Sequence, residues 1–124
     1  MKRVHHVQIT IPAGAEDAGR AFYCGILGLE EIPKPQTMQG RGGFWLTLGD
    51  LAVHVGVEDT DARNHTKAHL AYEVSDLDLW RQRITAQGIK ITAPPDIPVY
   101  PGYSRFQFRD PFGNRVEFLQ SLNE

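Results

Sequence analysis

The sequence has a single cysteine, Cys24, so no disulfide can close within the chain. Cys24 stands beside Phe22 and Tyr23 in a helical pattern, which reads as a small residue in or near the core and not as a catalytic thiol. Long apolar runs are missing too: none approaches the roughly 18 residues that a membrane-spanning helix requires. Met1-Lys2-Arg3 leads straight into a strand pattern where a secretory segment would be apolar, so a cytoplasmic location is expected. An excess of one charge is also lacking, since 13 Lys and Arg face 15 Asp and Glu for a formal net charge of -2. That balance excludes a nucleic-acid footprint and attraction to acidic membranes, and leaves small molecules as the expected partners. With 41% hydrophobic and 23% charged residues the chain is neither disordered nor fibrous, and 124 residues suit one domain.

What is present is a plan stated twice. Residues 4–11 alternate, with His5, Val7, Ile9 and Ile11 on one face and Val4, His6, Gln8 and Thr10 on the other, the pattern of a strand. Residues 15–29 carry Ala18, Ala21, Phe22, Gly25, Ile26 and Leu29 at helical spacing. Residues 30–35, 43–48 and 51–57 then read as strands, the last two joined by Gly49-Asp50. From Lys67 the order begins again. A strand over residues 68–74 precedes a helix capped by Ser75, with Asp76 and Asp78 at its positive end, Leu77, Trp80 and Ile84 as its buried stripe and Gly88 as its stop. Strands over residues 89–92, 103–108 and 115–119 follow, with residues 110–114 as the last turn. His6-Val7 matches His69-Leu70, Gly28-Leu29-Glu30 matches Gly88-Ile89-Lys90, and Gly49-Asp50 matches Gly113-Asn114, which argues for internal duplication.

The expected fold class is therefore α+β, two βαβββ modules forming a curved mixed sheet around a cavity with helices on the outer face. One domain over residues 1–124 would comprise module one, 1–60, and module two, 66–124. Residues 58–66 have no apolar anchor and read as a solvated linker. Residues 93–102, rich in proline, are excluded from regular structure and read either as a rim or lid of the cavity or as a plain surface connection.

Alternation selects three candidate metal ligands. Val116 and Phe118 take the apolar face of the last strand, so Glu117 falls on the other; Leu70, Tyr72 and Val74 do the same for His69. With His6 this makes two imidazoles and one carboxylate, a set that leaves coordination positions open on Fe, Mn, Ni or Zn. The two histidines hold equivalent places in the modules, which an ordinary structural histidine does not explain. His5 is the rival of His6, because one residue of slip exchanges them; His6 is preferred because Val7, Ile9 and Ile11 otherwise have no buried face.

The sequence resembles the vicinal-oxygen-chelate superfamily, also called the glyoxalase/bleomycin-resistance/dioxygenase superfamily. The resemblance runs over H-H-V-Q-I-T-I-P at the start, F-Y-C-G-I-L-G-L-E in the first helix, A-H-L-A-Y-E-V-S-D-L-D midway and R-D-P-F-G-N-R-V-E-F at the end. It places the usual metal ligands on His6, His69 and Glu117, and implies one divalent metal ion, a homodimer and a small oxygen-rich substrate. The carboxylate of glyoxalase I-like members in the first module is replaced here by Ala52 or Val53, which disfavours that reaction.

Around the metal, inward packing of Phe106 and Phe108 would turn Tyr103, Arg105 and Gln107 toward the cavity. Arg105 and Tyr103 suit an anionic or oxygen-rich substrate, unless Arg105 only makes a surface ion pair. Gln8 and Thr10 share the face of His6 and could orient substrate. Trp45 is a cavity wall or an ordinary buried aromatic. If Val53, Val55 and Val57 form the core face, His54 looks inward as a substrate contact or proton carrier, and with Arg105 it completes the candidate catalytic pair. The enzyme reading covers lyase, isomerase, transferase and dioxygenase chemistry, with fosfomycin-modifying members among the resembled proteins. The alternative is a metal-free small-molecule or drug-binding protein of the bleomycin-resistance kind.

Overall fold

The computed structural model describes residues 1–93 and 100–123. The chain divides into two compact units, Met1–Thr60 and Asp61–Glu124, and each carries a four-stranded mixed sheet.

In the first unit, β1 (His6–Ile11) leads to α1 (Glu16–Arg20), which runs on into a π-helical stretch, Ala21–Ile26. β2 (Glu30–Ile32), a 3-10 turn (Gln36–Met38), β3 (Phe44–Leu48) and β4 (Leu51–Val57) follow. The spatial order is β1-β4-β3-β2, with β1 parallel to β4 and the other pairs antiparallel. Ile11, Phe44, Leu46, Val53 and Val55 are buried on one sheet face with Phe22 and Tyr23 from the helix. Gly19 lets the helix approach closely, since a Cβ there would come within 2.9 Å of the Phe44 ring. The helix is shorter and wider than the pattern over residues 15–29 suggests. Phe22 and Tyr23 are adjacent yet both buried, with rings edge to face at 5.0 Å, and the π stretch is where the two are accommodated. β1 opens at His6, two residues later than expected, and Val4 before it is exposed.

In the second unit a 3-10 turn (Ala62–Asn64) precedes β5 (His69–Glu73), α2 (Leu77–Ala86), β6 (Ile91–Ala93), β7 (Tyr103–Arg109) and β8 (Arg115–Ser121). The order β5-β8-β7-β6 repeats that of the first unit, and β5 is again parallel to its neighbour β8. Phe118 is the hub of the core, with the rings of Trp80, Phe106, Phe108 and Tyr72 packed edge-on at 5.2 to 6.0 Å. Leu77 and Ile84 are the fully buried residues of α2, whereas Trp80 is half-buried under the Arg83 guanidinium. The fold is thus α+β, two βαβββ units, as the duplicated plan implies.

Three local expectations are corrected. The cap of α2 is Asp76, whose carboxylate accepts from Leu79 N at 3.1 Å; Ser75 lies one residue earlier and its carbonyl accepts from Gln120. A carboxylate is the stronger acceptor at the positive helix end, so it wins the site. Pro35 lies outside β2, which ends at Ile32. Residues 61–66 are not a free linker: Arg63 is buried and donates to Phe112 O, while Arg109 donates to the carbonyls of Arg63, Gly113 and Thr66. The anchor is a pair of guanidinium groups on backbone carbonyls, which a search for apolar residues passes over. Of the proline-rich stretch, residues 94–99 lie outside the described residues, and so does the rim or lid expected there.

Candidate functional site

In the second unit the polar face of the sheet is built around Glu117. The β5–β8 register sets His69 opposite Arg115 and Ala71 opposite Glu117, while β7 sets Gln107 opposite Glu117. Glu117 is only 2% exposed, and its Oε1 accepts from Gln107 Nε2 at 2.7 Å and from Arg105 Nη1 at 3.0 Å. Gln107 is held in turn by Arg115, whose guanidinium donates to Gln107 Oε1. Among the described residues the buried Arg105 Nε has no hydrogen-bond partner, and the guanidinium carbon lies 5.6 Å from the centre of the Tyr100 ring. Tyr103 is two residues along β7 from Arg105, on the same face and half-buried.

His69 completes this cluster. Its Nδ1 lies 2.8 Å from Lys67 O, and its Nε2 lies 3.9 Å from Glu117 Oε1. A carbonyl oxygen only accepts, so Nδ1 carries a ring proton, and it is Nε2 that stands on the side of Glu117, where its lone pair becomes available whenever the ring is neutral. Histidines that bind metals commonly donate their other ring N–H to a backbone carbonyl, a carboxylate or water, as His69 does to Lys67 O.

In the first unit His6, Gln8 and Thr10 share the polar face with their β4 partners Ala52, His54 and Gly56. The Gln8 side chain reaches over Gly56, where a Cβ would come within 3.0 Å of its amide nitrogen. The His54 ring is sandwiched: Trp45 is stacked on one side, with centroids 3.8 Å apart and planes 1° from parallel, and His6 is also stacked on it, at 4.1 Å and 16°. Burial, then His6, then His5, hold the His54 imidazole below its usual pKa. His5 and His6 meet edge to face with their Nδ1 atoms 2.9 Å apart.

The two ladders fix which residues correspond. His6 stands where His69 stands, Trp45 where Gln107 stands, and His54 where Glu117 stands. The first-unit counterpart of the carboxylate is thus His54, not Ala52 or Val53. The turn lengths explain the slip: Leu48 pairs with Leu51 across two residues, Arg109 with Arg115 across five. Val53 faces the core at 1% exposure, which turns His54 to the side of His6.

The structure therefore brings together His69, Glu117, Arg105 and Gln107 in one unit and His6, His54 and Gln8 in the other; Thr10 and Tyr103 share those faces. Trp45, read from sequence as a cavity wall or a buried aromatic, joins the face in the first unit, and Arg115, which alternation alone places beside Glu117, joins that in the second. Among the described residues no three His, Cys, Asp or Glu side chains are gathered as a metal cluster. The pair His69 and Glu117 nevertheless suits a divalent ion by donor chemistry, a neutral imidazole nitrogen beside a carboxylate oxygen. Adjacent ligands on an ion with bonds of about 2.1 Å stand roughly 3 to 3.4 Å apart, so the two atoms, 3.9 Å apart, are set wider than an ion would hold them and would draw together on binding it.

Comparison with known proteins agrees with this architecture. A search of curated proteins finds no match. Among solved structures, a glyoxalase family protein from Bacillus anthracis superposes with a TM-score of 0.83 at 38% identity, over 98% of this chain and 96% of the other. The fosfomycin resistance protein FosX from Listeria monocytogenes, complexed with Mn(II) and sulfate, gives 0.78 at 18% identity, over 98% and 91%. An integron cassette protein from V. cholerae gives 0.70 at 19%, over 97% and 95%, and with FosX it shares the fold. The model of the Glyoxalase/Bleomycin resistance protein/Dioxygenase superfamily matches residues 3–118. That match takes in most of both duplicated modules, and the chain belongs to this superfamily.

Proposed function

We propose that the chain is a divalent-metal-dependent enzyme acting on a small, oxygen-rich, anionic substrate, with His6, His69 and Glu117 as ligands of one ion (Fe, Mn, Ni or Zn). The units would then be the two modules of a single domain. The observation that carries the reading is His69, tied through Nδ1 to Lys67 O with Nε2 3.9 Å from a buried carboxylate. That FosX is found with Mn(II) supports a divalent ion here. A bound ion would supply Lewis-acid polarisation of substrate oxygens at its open positions.

The chain's own residues supply the rest. Arg105 has one nitrogen on Glu117 and a buried Nε that has no partner among the described residues, which suits an anionic substrate group. Gln107 orients the carboxylate; Gln8, Thr10 and Tyr103 offer further polar contacts. His54, depressed in pKa and stacked beside His6, can take a proton from substrate without leaving its sandwich. A FosX variant is found with Mn(II) and 1S,2S-dihydroxypropylphosphonic acid, a compound of the anionic, oxygen-rich type proposed. The proposed setting is cytoplasmic and the proposed assembly a homodimer; among the described residues no helix is long and apolar enough to cross a membrane.

A metal-free small-molecule-binding protein is the second reading, favoured by the Arg105–Glu117 ion pair, which balances the buried carboxylate without a cation. Metal analysis of the purified chain, with thermal unfolding in the presence and absence of a chelator, separates the two. Binding to the native state alone raises the melting temperature. His69→Ala should abolish tight metal binding and leave the secondary structure intact; unchanged metal content in that variant overturns the assignment.

A further inference from the structure

Two candidate ligands in equivalent places are held in different ways. At His69 the second-sphere partner is a backbone oxygen, Lys67 O. At His6 it is a side chain: His5 Nδ1 lies 2.9 Å from His6 Nδ1, with the rings 83° apart. Two imidazole nitrogens this close attract only when one carries a proton and the other a lone pair. If His5 donates, the neutral His6 ring keeps its remaining proton on Nε2 and has no lone pair for a metal. If His6 donates, its Nε2 is bare, as at His69. His6 is also held on one face by the His54 ring, and His5 meets it at its edge.

We infer that His5 is the positioning residue of His6, accepting from its Nδ1–H and so reserving Nε2 for the metal. This rests on the metal reading above. His5, rather than competing with His6 for the ion, does for the first unit what the Lys67 carbonyl does for the second. The consecutive pair His5-His6 is thereby one functional element.

The test is long-range proton–nitrogen NMR of the metal-free chain above the imidazole titration range, with Zn(II) affinity measured by chelator competition. Wild type should show both His6 and His69 as Nδ1–H tautomers. His5→Phe should shift His6 toward Nε2–H, leave His69 unchanged, and weaken Zn(II) about 10- to 100-fold, the usual cost of losing such a partner. His5→Asn, which restores an acceptor, should recover most of the affinity. A wild-type His6 in the Nε2–H form, or a His5→Phe variant with unchanged tautomer and affinity, overturns the proposal. Failure of the wild-type chain to take up Zn(II) or Mn(II) overturns the metal reading, and the His6 tautomer still decides whether His5 holds that ring.

Discussion

Gln107 Nε2 donates to Glu117 Oε1 across 2.7 Å while the oxygen of the same amide accepts from Arg115. The amide thus joins a buried carboxylate to a guanidinium that does not touch that carboxylate itself. Removing it leaves Glu117 with one fewer donor and Arg115 without its acceptor. Gln107→Leu should therefore destabilise the fold by about 1–3 kcal/mol, the usual cost of stranding buried polar groups. Urea unfolding of the metal-free chain measures this, and a change within about 0.5 kcal/mol, typical of surface substitutions, would show that the network is not structural.

Tyr72 carries the clearest pH dependence. Burial, with a smaller contribution from Asp110, raises its phenol from 10.0 to about 12. A group whose folded pKa is raised contributes its full stabilisation below the unfolded value and loses it as pH rises through the folded one. Stability should fall between about pH 10 and pH 12. Tyr72→Phe should flatten that part of the curve relative to wild type, with the difference isolating Tyr72 from other alkaline groups. Equal slopes in the two proteins would refute the assignment.

How much of this was legible in the sequence depends on what each feature is written in. Val7, Ile9, Val53, Val55, Val116 and Phe118 alternate strictly, so the strands and their core faces could be read directly. Glu117, His69 and His6 followed from the same alternation. The match of His54 to Glu117 could not, because Gly49-Asp50 and the turn 110–114 differ in length and the pairing register exists only once strands meet. Likewise Arg63 and Arg109 fasten residues 61–66 through backbone carbonyls, which leave no trace in side-chain pattern. The π stretch is a response to burying Phe22 and Tyr23 together, a tertiary demand that helical spacing does not encode.

Each sheet ends in edge strands, β1 and β2 in the first unit and β5 and β6 in the second. Edges of this kind call for partners or cover. A homodimer is expected, and sedimentation of the free chain at micromolar concentration should give twice the 13.9 kDa chain mass. A clean monomer counts against it.

The final prediction concerns His54, which holds the place of Glu117 but not its geometry. An imidazole ligates in its own plane, with the metal about 2.0–2.1 Å from nitrogen. The His54 and His6 rings are stacked 4.1 Å apart and nearly parallel, so their lone pairs lie in planes that do not meet on one ion. His54 should act beside the metal. His54→Phe keeps a flat ring between Trp45 and His6 while removing both nitrogens, so its metal content should equal that of wild type. If His54 moves a proton, turnover of any substrate the wild type accepts should fall by about 10²- to 10⁴-fold. His54→Gln retains a hydrogen-bonding group but loses the stack, and it should also keep its metal. Loss of the ion in both variants would make His54 a fourth ligand, and full activity in His54→Phe would remove it from the chemistry altogether.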